Sequence, residues 1–184
     1  YRILGDYYDH RILTLIRKIC DNPTGYRLLD ILSYSIRLNF IPTDRIPGRT
    51  MEYAGEGYIY YNDGQMNDDE FTQLLFHELF HAYQTTGNQN IVKSLNDEIE
   101  AYLAQYYFCE SMNIDFSAVS NDFVKAIREL AKYAGYGIPT DYEKYNKAYK
   151  KALKRLKEGN ALYDMPDWEE QEPYELNHLH LLFK

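Results

Sequence analysis

The sequence predicts an α+β fold, mostly helical with one small sheet. Three observations carry this. Apolar residues recur at helical spacing in six separate stretches. Between residues 36 and 61 the pattern changes to short alternating or aromatic runs broken by Gly and Pro. The order is helices, sheet, helices, not the strict alternation that builds a parallel sheet.

The elements follow in order. Residues 6–20 place Tyr8, Ile12, Leu15, Ile16 and Ile19 on one helical face, and Asp21-Asn22-Pro23-Thr24-Gly25 stops that helix. A second helix over 24–34 carries Leu28, Leu29, Ile31 and Leu32. Residues 36–41 alternate apolar and polar, a strand signal, before Pro42 and Ile46-Pro47-Gly48 turn the chain. Thr50–Tyr53 and Tyr58–Tyr61 read as two further strands joined across Ala54-Gly55-Glu56-Gly57, with Asn62-Asp63-Gly64 closing the second. The strongest helix comes next. Asn67 caps it, Glu70 completes a capping-box pair, the helix runs through Phe71, Leu74, Leu75, Leu79 and Ala82, and Gly87 stops it. Helices over about 95–112, 119–134 and 140–158 follow, with Gly135 and Pro139 between the last two. The helix from Tyr142 to Lys157 is rich in lysine and reads as solvated on one face. Residues 159–184, with Gly159, Pro166 and Pro173, read as an irregular tail with a short apolar end. The organisation expected is one domain over 1–158 with the tail 159–184 packed on it.

Composition excludes several functions. The chain has 184 residues, 45% hydrophobic and 26% charged, ordinary for a globular domain with its own core. No apolar run reaches the roughly 18 residues that span a bilayer, so no transmembrane segment is expected. The formal net charge of −8, from 28 acids and 20 bases, opposes a phosphate backbone and argues against nucleic acid as partner. Cys20 and Cys109 are too few for a disulfide framework or a four-thiolate zinc site. No basic–apolar–small segment opens the sequence, and the Asn22-Pro23-Thr24 triplet is barred by its proline from being a glycosylation acceptor. Twenty tyrosines suit a polar groove or an exposed sheet.

The chemistry concentrates in His77-Glu78-Leu79-Phe80-His81. Histidines at i and i+4 share one helical face, which lets both imidazoles bind one tetrahedral Zn²⁺. Glu78 lies one step around the helix, able to reach water at the metal as a general base without ligating it. Average residue usage gives such a string by chance in roughly one chain in a hundred of this length. Two unpaired imidazoles and a carboxylate on one buried turn are costly without a metal. A catalytic zinc takes three protein ligands, so a third is expected downstream. Asn96-Asp97-Glu98-Ile99-Glu100-Ala101-Tyr102-Leu103-Ala104 is the candidate segment, opening a helix in which Ala101 and Ala104 permit close packing. Glu98 and Glu100 lie on different sides of it, so one of them faces the metal.

His77–His81 followed by Glu98-Ile99-Glu100-Ala101-Tyr102 resembles the gluzincin branch of the zincin metallopeptidases, where a Glu on the following helix is the third ligand. Two family patterns point to different residues. The E-x-x-A form selects Glu98 with Ala101, whereas the aminopeptidase spacing of 18 residues after the second His selects Glu100. Surface loops change length freely while helix packing depends on the small residue, which favours Glu98 with Glu100 as the alternative. His77-Glu78-Leu79-Phe80-His81-Ala82 also resembles the H-E-L-x-H-A string of compact bacterial effector-type and ImmA/IrrE-like metallopeptidase domains. The resemblance is specific over 67–105, loose over 24–66 and absent beyond 112. It implies a zincin-like fold with the small sheet packed on the His77–His81 helix, a Zn²⁺ cofactor and a peptide or protein substrate. The chain departs from the family at Tyr102, where thermolysin-like members carry Asp.

Tyr102, one turn after Glu98, is the candidate transition-state stabiliser or support for a metal ligand, with Tyr83 the other tyrosine nearby. His178-Leu179-His180 alternates and reads as a surface strand end, His10 as a surface residue, and Trp168 as the pin of the tail. A strand at 50–54 or 58–61 is expected to form the sheet edge to which an extended substrate adds. The function expected is zinc-dependent peptide hydrolysis with Glu78 as general base. The alternatives are a non-catalytic module that binds a protein or glycan through its tyrosines, and a regulatory or toxin protease with one dedicated target.

Overall fold

The computed structural model describes residues 3–46, 51–62, 66–86, 94–165, 167–170, 172 and 174–183. Among these the protein is α+β, with seven α-helices and a three-stranded sheet, in two compact units. One comprises Tyr1–Ile91 with Ser111–Ile114, the other Val92–Glu110 with Asp115–Lys184. No helix among the described residues is long and apolar enough to cross a membrane.

The first unit holds helices α1 (His10–Cys20), α2 (Pro23–Ser35) and α3 (Asp68–Gln84), and strands β1 (Asn39–Pro42), β2 (Met51–Gly55) and β3 (Tyr58–Tyr61). α1 begins four residues later than its apolar pattern suggests. The preceding backbone is committed elsewhere: the carbonyls of Ile3 and Tyr7 accept from Leu38 and Phe40 at 2.8 Å, and Gly5 donates to Leu38. Asp9 then caps the helix, accepting from the Ile12 amide at 2.8 Å. Asn22 caps α2 through the Thr24 and Gly25 amides, with Pro23 in the first turn where its missing N–H costs nothing. The strand expected at 36–41 starts only at Asn39, because the Ile36 amide closes α2 onto the Leu32 carbonyl.

The sheet order is β1-β3-β2, with β1 parallel and β2 antiparallel to β3. β3 is therefore central, which removes 58–61 as a sheet edge and leaves β2 on the rim. Glu56 and Gly57 turn β2 into β3 with φ of 50° and 83°, the left-handed pair of a tight hairpin. Gly57 is obligatory on space as well: a Cβ there would sit 2.3 Å from the Arg37 carbonyl oxygen. β2 packs along α3. The Asn67–Glu70 capping box forms as expected, with Asn67 Oδ1 accepting from the Asp69 and Glu70 amides and Glu70 accepting from the Asn67 amide. Arg11 adds a bond to the Met66 carbonyl and lies over the Phe71 ring, and Lys18 pairs with Asp69. The expected stop at Gly87 lies outside the described residues, as do Thr50, Asp63, Gly64, Pro47, Gly48, Pro166 and Pro173.

The second unit is built on α4 (Leu95–Met112, its last two residues grouped with the first unit), α5 (Asn121–Ala134), α6 (Tyr142–Gly159) and the short α7 (Leu179–Leu182). Ser120 and Asp141 cap α5 and α6, and Gly135 ends α5 in the left-handed conformation at φ 50°. α6 buries Tyr145, Tyr149, Leu153 and Leu156 and exposes its lysines, as its pattern predicts. Residues 159–184 are part of this unit rather than a loose end. Tyr174, Leu176, Leu179 and Leu182 are buried, the Tyr145 hydroxyl donates to the Tyr174 carbonyl at 2.9 Å, and Tyr174 stacks on Tyr149 with ring centres 4.3 Å apart.

The hairpin gives a test of this fold. Gly57→Ala must bear both the left-handed φ and the clash with Arg37, and should lower stability by about 2 kcal/mol or more. A urea midpoint equal to that of the parent would show that the β2–β3 turn is not as described.

Candidate metal centre

α3 is buried on almost every side: Phe71, Leu75, Phe76, Leu79, Phe80 and Ala82 have no exposure. The same helix carries His77 and Glu78, which are also buried. Polar side chains in such a place require partners. The two histidines supply one to each other. One helical turn brings His77 Nε2 and His81 Nε2 to 3.0 Å, with the rings nearly perpendicular at 82°. Gln84, a further turn along, holds the other side of His81: its Oε1 lies 2.8 Å from Nδ1. A carbonyl oxygen there favours, in a neutral ring, the tautomer with the proton on Nδ1, which leaves an Nε2 lone pair facing His77.

This geometry fits a metal. Ligands at the usual Zn–N distance of about 2.0–2.1 Å and a tetrahedral angle stand roughly 3.3 Å apart. The observed 3.0 Å is within a few tenths of that, and the Gln84 contact is the outer support that metal-ligating histidines usually have. Glu78 points to the sheet, where its Oε2 accepts from the Tyr53 backbone amide of β2 at 2.6 Å. The Tyr53 hydroxyl in turn accepts from Thr85 at the end of α3. The rim strand thus orients the carboxylate that follows the first histidine.

The acids of α4 have separate partners. Glu98 is buried, and its Oε2 accepts from the Tyr163 hydroxyl at 3.2 Å. Glu100, 2% exposed, accepts at Oε1 from the backbone amides of His178 and Leu179, both at 2.7 Å, and at Oε2 faces His178 Nδ1 at 3.1 Å. Glu100 therefore caps the first turn of α7 and both its oxygens are in use. Asp97, Glu100 and His178 each bring one potential ligand atom within 4.8 Å of the others, and hydrogen bonds already join Glu100 to His178 within that cluster. Tyr102 is buried edge-on against Phe123 of α5, with ring centres 4.9 Å apart. Tyr83 packs against Phe80.

One expectation about the tail needs correction. His178-Leu179-His180 is not a strand end but the start of α7, because Glu100 accepts its leading amides; His178 is half-buried, not a surface residue. Trp168 pins the tail locally, edge-on to Tyr163 at 5.0 Å. Gln84 beside His81, the Tyr53 amide beside Glu78 and Tyr163 beside Glu98 are contacts absent from the sequence reading. Gln84 sits three residues after His81, and that spacing is the signal that could have revealed it. Tyr163 is 65 residues from Glu98 and one of twenty tyrosines, so no local signal marks it.

No protein-family model, curated protein or solved structure matches this chain.

The α7 cap is sensitive to pH. The hydrogen bond that His178 Nδ1 donates to Glu100 and, more weakly, the charges of Glu100 and Asp97 outweigh burial and raise the His178 pKa above the usual 6.5. A raised pKa in the folded protein means that the pair contributes fully below pH about 6.5 and is lost as pH rises through the folded value. The stability difference between the parent and His178→Gln should therefore shrink as pH rises above neutrality. A difference that stays constant in denaturant titrations from about pH 5.5 to 9 would leave His178 with no role as a cation.

Proposed function

We propose that the chain is a zinc-dependent peptidase in which His77, His81 and Glu98 hold the ion and Glu78 is the general base. The observation that carries this reading is the convergence of two Nε2 atoms at 3.0 Å on a buried helix, with Gln84 holding the far side of one ring. Glu98 is preferred to Glu100 because Glu100 already accepts two backbone amides and faces His178, a structural duty that binding a metal would break. Zinc bound there supplies Lewis acidity toward water and toward a peptide carbonyl.

The chain's own residues do the rest. Glu78 takes the proton of the attacking water and passes it to the nitrogen of the leaving amine, so that no charged amide anion departs. The Tyr53 amide holds the Glu78 carboxylate in place for both transfers. β2 is an edge strand, and an extended peptide pairs with such an edge through its backbone, which directs the carbonyl to be cleaved without regard to side chains. Backbone pairing and a base one residue from a ligand suit peptide hydrolysis better than passive binding, which needs no base.

Purified protein should carry or take up about one zinc per chain, and His77→Ala or His81→Ala should remove most of it. Plasma emission showing no zinc, with no uptake on addition, would overturn the reading. Glu98→Gln should weaken zinc strongly. Glu100→Gln should instead loosen α7 and change zinc affinity mildly; the reverse ranking would move the third ligand to Glu100.

Glu78→Gln separates catalysis from binding. It should keep the fold and the zinc while hydrolysis falls by about 100-fold or more, since a neutral amide cannot accept the proton. Parent-like cleavage of a peptide library by Glu78→Gln would show that another group is the base.

A further inference from the structure

We propose that Tyr163 is a positioning residue for Glu98: its hydroxyl fixes the carboxylate rotamer in which Glu98 serves as a metal ligand. The proposal rests on the reading of Glu98 as the third ligand and names what prepares it. A glutamate side chain has three rotatable bonds, and holding it in one rotamer costs conformational entropy. A ligand that is already held meets that cost on folding rather than on metal binding.

The surroundings of Tyr163 suit this role. Tyr163 and Glu98 are 5% and 7% exposed, and the hydroxyl lies 3.2 Å from Glu98 Oε2. Tyr163 sits in the short 3-10 turn Ala161–Asp164, which leaves α6 directly. Asn160 secures that turn twice: its side chain accepts from the Leu162 amide and its carbonyl from the Tyr163 amide, both at 3.0 Å, while its own amide bonds back to Leu156 of α6. Trp168 then closes edge-on over the Tyr163 ring at 5.0 Å. The chain next returns to the start of α4, where the Glu169 carbonyl accepts from the Leu95 amide at 2.9 Å. The ring is thus clamped by a turn, an indole and a bridge to the helix that carries Glu98. Its one polar atom is aimed at the carboxylate. Of the two glutamates on this stretch of α4, the tail uses Glu100 to anchor α7 and gives Glu98 a hydroxyl donor from Tyr163. The same segment therefore distinguishes the anchor from the ligand.

Zinc affinity, read by competition with a chelating indicator, tests this on the full chain. Tyr163→Phe keeps the ring and removes the hydroxyl, and should weaken zinc by about 10–100-fold, the usual cost of losing an outer support. The double variant Tyr163→Phe/Glu98→Gln should bind no worse than Glu98→Gln alone, because the two residues act through one contact. A merely structural tyrosine would give an additive loss instead. Trp168→Phe, which loosens the clamp but leaves the hydroxyl, should produce a smaller loss in the same direction, and Co²⁺ absorption should change shape in both tyrosine and tryptophan variants. If zinc depends on His81 and Glu98 but is unchanged in Tyr163→Phe, or the double loss is additive, Tyr163 has no positioning role while the metal reading stands. If the parent takes up no zinc, or His81→Ala takes it up equally, the metal reading falls and this proposal with it.

Discussion

A helix with apolar neighbours on nearly every side cannot carry two imidazoles and a carboxylate unless each has a partner. α3 is such a helix, and its polar groups organise much of the first unit. His77 and His81 meet at their Nε2 atoms, Gln84 takes the far side of His81, and Glu78 reaches the Tyr53 amide on the rim strand. The sheet must therefore present an amide outside its own ladder at the right height. It does so because β2 lies at the edge of the order β1-β3-β2, with the amide of Tyr53 turned toward α3. Were β2 central, a ladder bond would claim that amide and the carboxylate would lose it. The hairpin at Glu56-Gly57 and the Gly57 contact with Arg37 set the position of that edge.

The second unit shows a comparable economy on α4, where two glutamates two residues apart have different duties. Glu100 is an anion surrounded by donors: two amides at the start of α7 and one imidazole. That arrangement stabilises a four-residue helix that would not persist by propensity alone. Glu98 meets a tyrosine hydroxyl from a turn that three contacts hold in place. Residues 159–184 look like a tail in sequence because their apolar positions lack a period. Their contribution is to supply partners to acids that α4 has already buried.

Local rules make much of this legible in the amino-acid sequence. The capping box at Asn67–Glu70, the strand at Tyr58–Tyr61 and the helices from Leu95 to Gly159 follow from them, since each depends on residues a few positions apart. So does the histidine pair, because i and i+4 spacing decides which side chains meet on a helix. The start of α1 is not legible in this way, because residues 3–7 give their backbone to a segment more than thirty positions away. His178-Leu179-His180 alternates as a strand does, yet it starts a helix, because a buried glutamate 78 positions earlier accepts its amides. The choice between Glu98 and Glu100 is open in the sequence for the same reason. Spacing on α4 says that they face different ways, and only their distant partners say what each one does.

The contact at the centre of α3 finally admits two chemical states, and Gln84 narrows them. Two imidazole nitrogens 3.0 Å apart either share a proton along the line between them or turn both lone pairs toward one cation. Where the His81 ring is neutral, Gln84 Oε1 favours the tautomer with the proton on Nδ1 in either state. The difference therefore falls on His77 alone, which carries its proton on Nε2 in the first state and gives that position to the metal in the second. The i, i+4 spacing on a packed helix holds the two rings together in either state.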